Sequence, residues 1–92
     1  MLSSHAMKTP TSRPVVLCLS GHDPSGGAGL QADIEALHAQ GCHAAPTVTA
    51  LTVQDTVDVL DFRVLDRVWV MAQANAVIAD MPVAAVKLGM LG

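Results

Sequence analysis

The sequence predicts an α/β fold with a mostly parallel sheet, and three features of it support that expectation. An apolar run, Pro14 to Ser20 (PVVLCLS), stops at a glycine-rich loop, Gly21 to Gly29 (GHDPSGGAG). A helical pattern opens directly after the loop. Two further strand-like runs, His43 to Gln54 and Val83 to Leu88, bracket a second helical pattern. Strand, loop, helix, strand is the opening of a unit in which helices cover parallel strands.

Residues 1 to 13 (MLSSHAMKTPTSR) are polar and aperiodic. They are expected to be a disordered tail in which Met7 is an alternative start, with the domain over residues 14–92. Pro14 to Ser20 is apolar without alternation, the pattern of a strand buried on both faces. The loop places four glycines and a proline in nine residues, a density needed where the backbone turns tightly or approaches a ligand. Leu30, Ile34 and Leu37 fall at i, i+4 and i+7 and predict a helix, with Gln31, Asp33, Glu35 and His38 facing elsewhere and Gly41 as its stop. His43 to Gln54 alternates Val, Thr and Leu as a strand does, with Pro46 at an edge or bend and Asp55 closing it. Val57 to Val64 is expected to be a half-exposed strand or β-like crossover whose alternation Leu60 breaks. Asp66 is placed to cap a helix running to about Asp80, with Met71, Ala74 and Ile78 on one face, Val70 and Val77 widening it, and Pro82 beyond its end. Val83 to Leu88 (VAAVKL) is the last strand, giving the order β, α, β, β, α, β.

Of the 92 residues, 51% are hydrophobic and 14% charged, which excludes a disordered chain. A chain of this length buries only about 60 to 65% of its unfolded surface, so the mean hydropathy of +0.44 leaves too few charges to cover a self-contained core. Two helices would serve at least three strands, and the last strand would leave an open apolar edge. The expectation is therefore part of a larger fold that continues past Gly92. Five scattered basic residues and a net charge of -3 form no patch for nucleic acid. Cys18 and Cys42 lack CxxC spacing and read as reduced core thiols; the four histidines lack ligand spacing, so no metal site is expected. Gln73, Asn75, Asp80 and Pro82 interrupt the apolar stretch from Val68 to Val86, and the run Val15 to Leu19 is too short for a signal peptide. No membrane partner and a cytoplasmic location are expected.

Three segments lie at carboxyl ends of predicted strands, where open α/β sheets bind ligands: the glycine loop, Thr52 to Thr56 (TVQDT), and Lys87 to Leu91 (KLGML). A phosphate-binding P-loop does not fit, because Gly27 and Ala28 stand where Lys and Ser or Thr belong. A dinucleotide fingerprint half-matches at Gly27, Gly29 and Ala32, but six residues separate these glycines from the strand. Backbone N–H groups at Gly27 to Leu30 can receive an anion, or the loop is a packing element in which Asp23 caps a turn. His22 has no orienting partner in sequence for a general base. Gln54 carries a donor and an acceptor side by side, suited to an aminopyrimidine or amide edge, or is satisfied by adjacent backbone. Met90 is either core filler or an apolar wall for a flat ring.

The strings SGHDPSGGAGLQADIEAL (Ser20 to Leu37), TALTVQDT (Thr49 to Thr56) and VKLGML (Val86 to Leu91) resemble the amino-terminal part of the bacterial hydroxymethylpyrimidine and phosphomethylpyrimidine kinases of thiamine biosynthesis. The resemblance runs from about Pro14 to Gly92. It implies a ribokinase-like three-layer α/β/α fold with a mostly parallel sheet. It also implies transfer of the terminal phosphoryl group of ATP, with Mg2+, to the hydroxymethyl group of the pyrimidine and then to the monophosphate. By motif, Gln54 would pair with the aminopyrimidine, Gly21 and Met90 would line the ring pocket, and Asp33 would approach the substrate; no catalytic or metal-binding residue is implied within this chain. His22 departs from the hydroxyl residue often found there. Family enzymes run to more than twice this length, and ATP and Mg2+ sites are not recognisable here, so residues 1–92 alone are expected not to turn over ATP. The expected partner is a small pyrimidine, and a homo-oligomer is compatible with the resemblance. A non-catalytic pyrimidine-binding fragment and a pyridoxal kinase-like vitamin kinase remain as alternatives.

Overall fold

A computed structural model describes residues 13–89; Met90 and residues 1–12 lie outside them, so the expected tail has no structural account. The elements are β1 (Val15–His22), α1 (Gly29–Ala39), β2 (His43–Gln54), β3 (Val59–Val64), α2 (Arg67–Asp80) and β4 (Val83–Leu88). They form one four-stranded sheet in the order β3-β2-β1-β4. β1 pairs in parallel with both β2 and β4, whereas β3 runs antiparallel to β2. The exception follows from length: residues 55–58 are too few for a crossover and make a hairpin instead. The Asp55 carboxylate accepts the N–H groups of Val57 and Asp58 at 2.8 and 2.9 Å, holding that turn closed.

β1 is central, and its apolar residues divide between two layers. Val15 and Leu17, with Ala45 of β2, pack against Ala74, Val77 and Met81 on the α2 side. Val16 and Cys18 pack against Leu30 and Leu37 of α1, with Ala44 and Val48. Each fully buried aliphatic side chain contributes about 1.5–3 kcal/mol, so these two thin layers hold the sheet together. Burial, followed by the charge of Asp33, pushes the Cys18 thiol up from its ordinary range against the opposing effect of Lys87, and both cysteines are free.

Helix ends follow local chemistry. α1 stops in a Schellman arrangement: Gly41 (φ 80) donates to the carbonyl of His38 at 3.0 Å, and Cys42 to that of Leu37 at 2.9 Å. α2 begins where the Asp66 side chain accepts from the Val68 N–H, as expected of an N-cap. Its buried face differs from expectation. Ala74 is buried and Val77 and Met81 pack beside it, but Met71 (49%) and Ile78 (54%) are exposed. Ala74 belongs to two overlapping apolar stripes, and the sheet engages the one running through Val70, Gln73 and Val77. β3 also differs: all six of its residues are exposed, because no described helix crosses either of its faces.

The portion of β2 containing Pro46 borders β1 alone, since β3 pairs only from Ala50 onward. Pro46 thus sits in an edge segment, where its missing donor is tolerated. The neighbouring open backbone at Val48 is satisfied by a side chain. Val48 donates its N–H to the Gln73 Oε1 at 3.0 Å, and the Gln73 Nε2 donates back to the Val48 carbonyl at 3.0 Å. One primary amide therefore takes the place of a neighbouring strand residue.

Candidate functional site

A cavity of about 400 Å³ opens at the carboxyl ends of β1, β2 and β4. β1 contributes Ser20, Gly21 and His22 to its wall, the loop contributes Asp23, Ala28 and Gly29, and α1 contributes Asp33. Thr52 and Gln54 come from the end of β2, Val59 from β3, and Lys87 and Gly89 from the end of β4. Three of the four residues singled out in the sequence, Gly21, Asp33 and Gln54, thus face one cavity; Met90, the fourth, lies outside the described residues.

Close backbone approaches shape the loop. His22 and Gly29 form an isolated bridge, which folds the loop back on the end of β1. Gly29 has φ 64, and a Cβ there would collide with the Gly21 carbonyl oxygen. The Thr52 hydroxyl donates to the His22 carbonyl at 2.7 Å, fixing the other side of the turn to β2. On the far wall the Gly89 N–H donates to the Leu19 carbonyl at 2.7 Å, bringing Gly89 so near Ser20 that a side chain would not fit.

The loop contains the Asp23-capped turn that its packing reading expects. Asp23 is buried, and its Oδ1 accepts the Ser25 N–H at 2.8 Å and the Ser25 hydroxyl at 2.7 Å. Those Ser25 bonds, aided by the N–H groups of Ala28 and Gly27, hold the Asp23 carboxyl below the usual carboxylate range. The N–H groups of Ala28 and Gly27, just before α1, thus favour an internal carboxylate. The α1 N-cap, Ala28, has no side-chain cap of its own.

Asp33 corrects the expected helix face. Rather than facing elsewhere it is 8% exposed, on the same stripe as Leu30 and Leu37. Its Oδ1 pairs with the Lys87 ammonium, and its Oδ2 is buried with no hydrogen-bond partner among the described residues. Bonding to Asp33 raises the Lys87 pKa above the ordinary lysine range, so the ammonium stays charged. Lys87 was not among the expected site residues. A lone cation in the apolar run VAAVKL was the signal, and it matches a lone acid on the buried stripe of α1.

Gln54 ends β2 at a register shift between Val53 and Gln54. Such irregularities re-aim a side chain, and here the half-buried amide lines the cavity without a hydrogen-bond partner among the described residues. The reading in which adjacent backbone satisfies Gln54 is thereby disfavoured. Among the described residues no group of three or more His, Cys, Asp or Glu side chains is placed to hold a metal ion. None of the described helices is long and apolar enough to cross a membrane.

The phosphomethylpyrimidine kinase family profile matches residues 23–92, taking in the loop from Asp23 onward, Asp33, Gln54 and Lys87. The chain belongs to that family. It is 45% identical over 78 residues to the hydroxymethylpyrimidine/phosphomethylpyrimidine kinase of Mycobacterium tuberculosis, an alignment covering 85% of this chain and 28% of that protein. Among solved structures it resembles the phosphomethylpyrimidine kinase of Clostridium difficile 630 with a TM-score of 0.79 at 38% identity, covering 85% of this chain and 34% of that one. The pyridoxal kinase of Staphylococcus aureus in complex with AMP-PCP and pyridoxal matches with a TM-score of 0.76 at 29% identity, covering 88% and 30%. The ribokinase-like α/β expectation agrees with these folds. The chain spans about a third or less of the length of each of these relatives.

Proposed function

We propose that this chain forms the pyrimidine-binding wall of a kinase that phosphorylates hydroxymethylpyrimidine and then its monophosphate in thiamine biosynthesis, with ATP as phosphoryl donor and Mg2+ as its counter-ion. One observation supports this most: Gly21, Asp33 and Gln54, far apart in sequence, converge on one cavity in which the Gln54 amide has no partner among the described residues. A free primary amide offers a donor and an acceptor side by side, the complement of an aminopyrimidine edge. The Asp33 Oδ2 offers a second acceptor, and Gly21 presents no side chain to a flat ring. Together they would orient the hydroxymethyl group without moving any proton themselves.

The described residues do not fit ATP or Mg2+: they hold no metal cluster, and the one lysine on the cavity is engaged by Asp33. In the proposed reading the phosphoryl-transfer machinery lies outside residues 13–89 and the site is cytoplasmic. The test is to express the complete reading frame, supply ATP, Mg2+ and hydroxymethylpyrimidine, and follow mono- and diphosphate formation by mass spectrometry. Appearance of both products supports the proposal; a complete, folded protein that forms neither overturns it.

The likeness to the pyridoxal kinase from Staphylococcus aureus supports a second reading, a related vitamin kinase that takes pyridoxal. Pyridoxal lacks the ring amino group that Gln54 would pair with. Turnover of pyridoxal in preference to hydroxymethylpyrimidine in the same assay would favour it. A protein that binds the pyrimidine but transfers no phosphoryl group would instead be the non-catalytic module.

A further inference from the structure

Charge in the cavity is unevenly distributed. Among the described residues two carboxylates line it, Asp23 and Asp33, against a single lysine ammonium, Lys87. Asp23 is occupied by Ser25 within its own loop, whereas Asp33 holds one buried oxygen free. Lys87 reaches Asp33 from β4, and its side chain is 50% exposed. Its ammonium thus remains partly hydrated while it neutralises an acid that is nearly out of water. Without it, a ligand would meet a buried, uncompensated negative charge.

The two proposed substrates differ in one respect that this pair can sense: hydroxymethylpyrimidine is neutral and its monophosphate is an anion. We propose that Lys87 is a positioning and specificity-determining residue that, by neutralising Asp33 and leaving one oxygen as acceptor, allows a single pocket to take both the alcohol and its phosphate. This rests on the function proposed above. Loss of the lysine charge leaves Asp33 to repel the phosphate but not the alcohol, and one uncompensated charge at an effective dielectric of about 20 is enough to shift relative affinity about tenfold. A lysine serving only to brace α1 against β4 would affect both substrates alike.

The test compares KM for the two pyrimidines in the complete enzyme carrying Lys87→Met, Lys87→Arg, Asp33→Asn, or Asp33→Asn with Lys87→Met. Lys87→Met should raise KM for phosphomethylpyrimidine about tenfold more than for hydroxymethylpyrimidine. Lys87→Arg should hold the wild-type ratio to within about twofold, because the charge is kept. The double variant, again neutral as a pair, should return the ratio toward wild type even where both KM values have risen. Asp33→Asn, nearly isosteric, should move the ratio the opposite way, toward the anion, and it carries the test if Lys87→Met does not fold. Equal losses for both substrates, or a double variant that keeps the ratio of Lys87→Met, would overturn the proposal. A wild-type enzyme that phosphorylates neither pyrimidine overturns the underlying function first, before any variant is compared.

Discussion

Gly29 rests against the carbonyl oxygen of Gly21 with no room for a Cβ between them. That approach, together with the His22–Gly29 bridge, turns the loop back over the end of β1 and forms one wall of the cavity. Gly29→Ala therefore combines a left-handed backbone penalty with a collision against main chain, and is expected to cost about 3 kcal/mol. Gly41→Ala is the control. Gly41 has φ 80 but open space around it, so about 1 kcal/mol is expected. Denaturant unfolding of the complete protein measures both, and equal losses would contradict the packing argument.

Gln54→Leu should separate binding from folding. The amide bonds no group among the described residues, so stability should change little, within about 0.5 kcal/mol. Loss of the proposed two-point contact to the pyrimidine should raise its KM about tenfold or more, in line with about 1–3 kcal/mol for such a pairing. A fall in melting temperature with an unchanged KM would place Gln54 in the scaffold.

Gln73→Leu should do the reverse. It removes both hydrogen bonds to the open backbone of Val48, and leaving half-buried main-chain groups unpaired is expected to cost about 1–3 kcal/mol. The KM for pyrimidine should hold, since Gln73 lies outside the cavity wall. Urea unfolding alongside steady-state kinetics distinguishes the two effects.

Asp23 links the loop to pH. Because its folded pKa is depressed, its contribution is present above the ordinary carboxylate pKa of about 3.9 and is lost as pH falls through the lower folded value. Asp55, depressed by the N–H groups of Asp58 and Val57, behaves the same way at the hairpin. Stability measured between about pH 6 and 2.5 should fall less steeply on the acid side in Asp23→Asn, and less steeply again with Asp55→Asn added. An acid limb identical to wild type in both would show that these carboxylates play no part in it.

Local signals made most of the fold legible in the sequence. Strand, loop and helix order, the Gly41 stop and the Asp66 cap each depend on residues within one turn of one another, and the structure has them all. The buried face of α2 was harder to read, because Ala74 fits two stripes and only the position of the sheet selects between them. Asp33 was misplaced for a different reason: its charge suggested solvent, while its spacing from Leu30 and Leu37 put it on their face. The partner that makes that burial tolerable lies in β4, which no window of helical length can include. Gln54 was legible as a polar terminus to a β-branched strand, but its register shift depends on how β3 returns beside β2.

The Asp33–Lys87 pair joins residues 54 positions apart, the first on the helix that follows β1 and the second on the last described strand. Gly21, the loop and Gln54 can come together once β1, α1 and β2 have associated, a contiguous segment with comparatively short loops to close. The counter-charge for Asp33 arrives only when β4 docks along β1. Formation of this ion pair therefore requires β4 to be paired with β1. An intermediate lacking β4 would hold a buried acid with nothing to balance it, and that penalty is relieved in the step that finishes the central strand's second edge.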